Sequence, residues 1–389
     1  MIARSTFLGG ATALAASALA RPARAAFGDQ TMAPVTTLGV VAPFTGNDVR
    51  LGEQIGNGVR AAIDDANSRR GSLDRIYAIR TFDDQNQLAS GIVNAQFACD
   101  DQGVSCVIGH LSGTITDTAL RTYALAGMPV IIPASTLDRL TSHNYPYVWR
   151  LTTKDSTEGR LCARTLGSLL KPKQVVVLSQ DGDYGYDVAI GAQQQLDADK
   201  IPAKAFGFAW DKPNFAAVAK ETLAQAPDAI FLAGLVRDMG PVVPALRTAG
   251  YNGAFYASQG FFDSETIAKY GADVEGLVVS SSMPPLALAP SVFRIRADFE
   301  SKYGEMTPLS TFSYAAAQMA IAACKRVGAG DRVAAARALA MPYAYDTVIG
   351  TVQFLPGGDP LDPNVYFYTV AGGKWKYVRS AHPSTFVLK

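Results

Sequence analysis

Residues Val104 to Thr114 read VSCVIGHLSGT, a short apolar run that ends in a turn of small and hydroxyl-bearing residues and gives way at once to helical periodicity over Ile115 to Ala126. A second stretch of the same design lies close behind. Pro129 to Thr136, PVIIPAST, again runs from β-branched residues into a small, hydroxyl-bearing turn. Two adjacent strands of this kind deliver two turns to one edge of a sheet, and in an open α/β sheet ligands sit at that edge, outside the carboxyl ends of the strands. The first N–H groups of the following helix have no acceptor inside it. With the hydroxyls of Ser112, Thr114, Ser135 and Thr136 they form an anion site that needs no charged side chain. The pair is read as a seat for a ligand's carboxylate. One such turn alone would be ordinary turn chemistry; two in succession, inside the longer resemblance given below, favour the site.

The strand and helix alternation extends outward on both sides. Leu38 to Ala42 is a buried-strand run, the turn Pro43-Phe44-Thr45-Gly46 follows, and a helix over Arg50 to Arg69 carries Leu51, Ile55, Val59, Ile63 and Ala66 as one apolar stripe. Gly52, Gly56 and Gly58 fall inside that helix and so make no dinucleotide fingerprint. Tyr77 to Phe82 alternates as a strand and Leu88 to Ala98 reads as the next helix. Tyr147 to Leu151 is extended and enters a polar passage, Thr152 to Glu158, read as the first crossing between two domains. A second series starts at Val175 with VVVLS, a turn over Gln180 to Tyr186 and a helix to about Ala198. Its further strands are Phe206 to Ala209, Ala229 to Leu232 and Phe255 to Ala257, with helices over Phe215 to Gln225 and Gly240 to Ala249 between them. Glu275 to Ser281 runs extended toward Pro284-Pro285, a second crossing. Helical patterns over Ser291 to Tyr303 and Thr311 to Val327 then return to the first domain, and late strands at Asp346 to Phe354 and Tyr366 to Val370 imply a third crossing. The fold class expected is α/β, with two doubly wound parallel sheets. The first lobe takes residues 33–153 and 284–365, and the second takes 154–283 and 366–389.

Composition narrows the function. The chain has 389 residues, 48% hydrophobic and 18% charged, with 35 basic and 34 acidic side chains. Arg4, Arg21 and Arg24 lie in a leader-like opening; without them 32 basic residues face 34 acids, which leaves no basic field for nucleic acid. Arg4, the Ala-rich apolar stretch Phe7 to Ala20, and Ala23-Arg24-Ala25 read as a signal peptide over residues 1–25, cleaved near Ala25. No cysteine precedes Cys99, so no lipid anchor is expected near the cleavage point. The expectation is an unanchored, monomeric periplasmic protein. Among the four cysteines, Cys99 and Cys106 fall at a helix end and in the next strand, where a tentative bridge is expected, and Cys162 and Cys324 read as buried thiols.

The chain offers no catalytic constellation. His110, His143 and His382 are scattered, no metal-ligand spacing occurs, and no phosphate loop exists, so no metal or cofactor is implied. Gly109-His-Leu-Ser-Gly113 has the wrong spacing for a nucleophile elbow. A hydrolase acting through Ser112 would need a base such as His110, and a histidine at a strand end is more often simply hydrogen-bonded in place. Asp181, Asp183 and Tyr184 occupy the turn QDGDYGYD at a strand's carboxyl end, where the acids serve equally well as helix caps or as ligand contacts. Across a cleft, Tyr184 would face the Ser112 and Thr136 turns and could cover a ligand with its ring.

Taken in order, VAPFTG with the following LGEQ, then DDQN, VIGHLSG, PVIIPAST, the DYG of Asp183 to Gly185, and EGLVVSS resemble the periplasmic leucine/isoleucine/valine-binding proteins, the solute receptors of branched-chain amino-acid ABC importers. The resemblance implies two α/β lobes joined by three crossings, a small-molecule ligand between them, and permease subunits as partners. It places the carboxylate site on Leu111 to Gly113 and Ala134 to Thr136, with Thr136 as a hydroxyl ligand. Gly113 stands where a partnering serine is usual, and Ser112 or Thr114 are its substitutes. Tyr184 matches an aromatic cleft residue, whereas Leu51 and Leu235 replace aromatic ones. The family's disulfide positions correspond to Asn86 and Ser112. Gln259 takes the place of the acid that holds the amino-acid ammonium. An amide leaves a buried ammonium without a charge partner, at a cost of several kcal/mol. Unless Asp181, Asp183 or Asp238 supplies that charge, the expected solute is a neutral or acidic molecule such as an organic carboxylate or an amide. A periplasmic sensor built on the same architecture is the alternative.

Overall fold

The computed structural model describes residues 33–71, 74–180, 184–208, 213–285 and 289–382. The leader expected at 1–25 with its cleavage point, and Asp181 and Asp183, lie outside the described residues. The first half contains β1 (Val35–Ala42), α1 (Val49–Ser68), β2 (Ile76–Asp83), α2 (Leu88–Asp100), β3 (Val104–Gly109), α3 (Gly113–Leu125), β4 (Val130–Ile132) and β5 (Val148–Arg150). Its strands make a five-stranded sheet in the order β2-β1-β3-β4-β5, parallel throughout. Leu38 to Ala42 of β1, all of β3 and all of β4 are buried because both faces of the sheet are covered by helices. Leu38, Val40, Cys106, Ile108 and Ile131 pack on one side with Ile55 and Val59 of α1. Val41, Val104, Val107 and Val130 pack on the other with Ala95 of α2 and Leu120 of α3.

The chain then leaves this sheet. It continues as α4 (Asp155–Leu170), β6 (Val175–Gln180), α5 (Tyr186–Ala198), β7 (Ala203–Phe208), α6 (Phe215–Leu223), β8 (Ala229–Ala233), α7 (Val236–Met239), α8 (Val242–Thr248), β9 (Ala254–Ala257), α9 (Ser264–Tyr270) and β10 (Val278–Ser281). It returns as α10 (Pro290–Tyr303), α11 (Pro308–Val327) and α12 (Arg332–Ala340), whose Val292, Phe299, Phe312, Ala316 and Ala335 enter the core that α1 covers. A hairpin of β11 (Tyr345–Thr347) and β12 (Gly350–Val352) follows, where one strand was expected. Finally β13 (Val365–Val370) and β14 (Trp375–Ala381) join a second sheet of order β14-β13-β10-β9-β8-β6-β7.

That second sheet is parallel only from β10 to β7; β13 runs antiparallel to β10, and β14 to β13. For β14 the reason is local. Gly372 and Gly373 both hold positive φ, +63° and +69°, and close a two-residue turn in which Ala371 N–H donates to the Lys374 carbonyl, the geometry that folds a chain straight back on itself. The helix expected over Gly240 to Ala249 forms as α8, which begins after Pro241, and a short α7 that was not expected precedes it. α11 starts earlier than its apolar pattern suggested, because Thr307 and Ser310 form a reciprocal capping box with Pro308 in the first turn.

The expected Cys99–Cys106 bridge is corrected. Both are free thiols, and so are Cys162 and Cys324, which are buried as expected. Cys106 points into the core on the α1 side of the first sheet, while Cys99 packs on the α2 and α3 side, so β3 itself stands between their sulfurs. Burial pushes the Cys99 and Cys324 thiols up to about 11, which leaves them as unreactive packing groups.

Candidate functional site

Between the carboxyl ends of the two sheets runs a cleft of about 940 Å³. From the first sheet it is walled by Leu51 of α1, Leu111 to Gly113 after β3 and Pro133 to Leu137 after β4; from the second by Tyr184 after β6, Leu235 after β8 and Gln259 after β9. Of the residues expected at the site, Leu51, Leu111, Ser112, Gly113, Ala134, Ser135, Thr136, Tyr184, Leu235 and Gln259 are therefore brought together around one cleft. Thr114 is not part of that lining, and its carbonyl accepts from Thr118 one turn on in α3. Its place inside the helix, one residue past Gly113, turns it away.

The turn after β3 is set by helix capping. Ser112 Oγ accepts from Ile115 N–H at 3.5 Å, so the hydroxyl closes the end of α3 and Gly113 opens its first turn at the cleft. The turn after β4 is set from beneath by Arg150, fully buried at the end of β5. Its Nη1 donates to the Thr136 and Leu137 carbonyls at 3.0 and 2.6 Å, and its Nη2 to Thr141 Oγ1 at 2.8 Å. Asp359 pairs with Arg150 at 2.5 Å and with Lys154 at 2.6 Å. Burial alone would raise the Asp359 carboxyl, but Arg150, Lys154 and Thr141 together hold it below its ordinary value.

His110 is buried under the β3 turn and uses both ring nitrogens, Nδ1 with Asp84 at 2.7 Å and Nε2 with the Tyr123 hydroxyl at 2.9 Å. The reading of this histidine as a structural one, hydrogen-bonded in place, describes it. No general base is thereby offered to Ser112.

Two acids that the sequence reading passed over shape the site's chemistry. Asp155 and Glu158 open α4, and the polar passage containing them reads as a mere crossing. Asp155 lines the cleft beside Thr136, whose carbonyl accepts from Asp155 N–H at 3.1 Å. Its Oδ1 is buried with no hydrogen-bond partner. Burial holds its carboxyl well above the usual carboxylate range, against the Thr136 hydroxyl, and the neighbouring Glu158, Asp138 and Asp187 act in the same direction. Glu158 lies behind the wall. It accepts from Gln259 N–H at 2.7 Å, from Gln259 Nε2 at 3.0 Å and from Ser280 Oγ at 2.6 Å. Burial raises the Glu158 carboxyl in spite of these donors. Gln259 Oε1 in turn accepts from Ser282 at 3.1 Å, so the amide is fixed at both ends. The sequence does carry a signal, acids at two positions of a helix's first turn, but the contact from Glu158 to Gln259 spans 101 residues and only the fold makes it.

Across the cleft mouth Arg237 of α7 pairs with Asp48 in front of α1, and Asp48 also accepts from Asn86 Nδ2 at 2.7 Å. Arg50 reaches Asp263 at 3.2 Å and Glu265 at 3.6 Å. Asp238, one candidate for an ammonium partner, lines the cleft with its carboxylate 3.3 Å from Arg237 Nε. Among the described residues no group of three His, Cys, Asp or Glu side chains is placed to hold a metal ion.

The sequence profile of the periplasmic binding proteins matches residues 35–374. The chain belongs to the periplasmic binding protein family. Leu/Ile/Val-binding protein homolog 1 of Brucella suis is 26% identical to this binding protein over 368 residues, 93% of this chain and 98% of the relative. LivJ of Streptococcus pneumoniae, solved with isoleucine, shares the fold with a TM-score of 0.81 at 20% identity, covering 90% of this chain and 100% of its own. A solute-binding protein of R. palustris solved with benzoate gives 0.78 at 18% identity, over 90% and 97% of the two chains. The resemblance drawn from VAPFTG through EGLVVSS is borne out at the level of the family. This periplasmic binding protein is a small-molecule receptor of an exported family rather than an enzyme. No described helix is long and apolar enough to cross a membrane.

Proposed function

We propose that this binding protein is the receptor of an ABC importer and that its cleft captures a small solute by the solute's carboxylate. The lobes are residues 33–153 with 284–365 and residues 154–283 with 366–389, closing on one another around the solute; permease subunits read the closed form. The leader ends near Ala25 and the mature chain is an unanchored monomer. In this reading the carboxylate sits at the opening of α3 and the Ala134 to Thr136 turn, and Leu51 and Leu235 flank the solute's apolar body. Tyr184 and Gln259 close from the other side.

The observation that carries the reading is the fixed, uncharged amide of Gln259 opposite the two turns, with Glu158 held behind it and committed to three protein donors. A solute without an ammonium group fits that wall, because the charge an ammonium requires is turned away from it. The benzoate-bound relative is consistent with such a solute, and the relatives named for leucine, isoleucine and valine mark the contrast. Calorimetric titration with leucine, 4-methylpentanoate and benzoate tests it: acids binding at micromolar strength and leucine far more weakly support the reading, and tight leucine binding with silent acids refutes it. A second reading is favoured by one atom. The unpartnered Oδ1 of Asp155 is a place for an ammonium, and an amino acid bound there would ionise the carboxyl.

A further inference from the structure

The carboxylate seat uses one end of the cleft. At the other end stand four rings: Phe262 beyond Gln259, Tyr368 of β13, and Trp375 and Tyr377 of β14. Phe262 stacks against Tyr368 and Trp375 with centroids 4.4 and 5.2 Å apart, and Tyr368 meets Tyr377 edge-on at 5.9 Å. Tyr368 is locked by its hydroxyl, which donates to the Met283 carbonyl at 2.9 Å. Met283, Pro284 and Phe312 line the same cleft. Trp375 Nε1 is buried without a partner.

The ladder sets this wall apart from Gln259, which faces the seat across the cleft. Tyr368 pairs with Val279, and Val279 with Ala257 at the end of β9, two residues before Gln259. Two strand spacings, roughly 10 Å, separate Tyr368 from Ala257, and Tyr377 is one strand farther. A ring bonded directly to the carboxylate stays near Leu51 and Leu235 and leaves this wall untouched. A ring carried on a chain of several carbons reaches it, and aromatic walls of this kind favour a flat π face over an alkyl tail.

Resting on the carboxylate reading above, we infer that the solute is an arylalkanoate, its ring separated from the carboxylate by a chain and held among Phe262, Tyr368 and Trp375, with Trp375 Nε1 donating to an oxygen substituent on the ring. The test is a calorimetric series of benzoate, 3-phenylpropanoate, 5-phenylpentanoate and 5-(4-hydroxyphenyl)pentanoate against the mature protein and the variants F262L and W375F. Affinity is expected to rise about tenfold from benzoate to the longer acids. F262L should erase that rise and leave benzoate binding unchanged, while W375F should remove only the preference for the hydroxyl. Because W375F keeps an aromatic ring at its position, a loss there is not a folding defect, and melting temperatures of both variants check this. Equal affinity along the series, or a rise that both variants retain, overturns the arylalkanoate while the carboxylate seat stands. Silence from every acid together with tight leucine binding overturns the seat itself.

Discussion

At Asp155 a carboxyl group in the cleft wall can be stable in two ways, as a neutral acid or as an anion beside a cation. The D155N variant separates them. Asparagine reproduces the neutral acid's shape without its charge, so binding of a simple carboxylate should change less than about threefold, while an ammonium solute would lose its partner and bind 100-fold or more weakly. Titration calorimetry in buffers of different ionisation enthalpy adds a second readout, since an ammonium solute would drive a proton off Asp155 and a carboxylate would not. Arg150 matters for a different reason. It does not line the cleft, yet it holds the Thr136 and Leu137 carbonyls and is itself fully buried. R150M takes the buried guanidinium away from both carbonyls and from Asp359, which keeps Lys154 and Thr141, and should cost about 3–5 kcal/mol in urea denaturation, with solute binding weakened by the loosened turn.

Among the elements, α3 and the α1–α11 pair show how local sequence becomes site geometry. The Ser112 cap bond is long, 3.5 Å, so S112A is expected at the low end of cap losses, about 0.5 kcal/mol, measured by thermal melting. The glycines inside α1 are there for close approach. A Cβ on Gly58 would lie 2.2 Å from the Ser310 carbonyl of α11, so G58V should force the two helices apart and cost about 1–3 kcal/mol by the same melting measurement. The periodicity of α1 was legible because its stripe repeats at helical spacing; the contact at Gly58 was not, since its partner is 252 residues away in the chain. The expected strands end at Val370, so β14 goes beyond the sequence expectation, although Gly372-Gly373 is a local hairpin signal.

For the whole molecule, closure and pH response follow from charges on both sides of the cleft. Arg237 with Asp48, and Arg50 with Asp263 and Glu265, join the two halves at the mouth. These pairs are partly exposed and so are weakened by salt. Small-angle scattering of the solute-free protein is expected to show expansion at about 1 M salt, where screening acts within about 3 Å, and R237A should show the same expansion at low salt. Asp155 and Glu158 set a pH trend. An unfolded chain releases their protons near the ordinary carboxylate value of about 4, whereas the folded protein keeps them to higher pH. Above that point the folded state binds more protons, so its stability falls as pH rises. Asp359, held low, acts oppositely and loses its contribution as pH drops below about 4. D155N should flatten the decline between pH 4 and 8 in urea denaturation followed across pH.

The sequence by itself determined the α/β alternation, the two small-residue turns and the family, because each rests on periodicity or on turn chemistry within a few residues of chain. Tertiary structure alone decided that Glu158 stands behind the Gln259 amide, that Asp155 enters the cleft wall, that Arg150 props the Thr136 turn, and that β3 keeps Cys99 and Cys106 apart. Each of these is a contact or an orientation across a sheet face or a cleft, and side chains brought together by packing leave no mark in the local pattern of the chain.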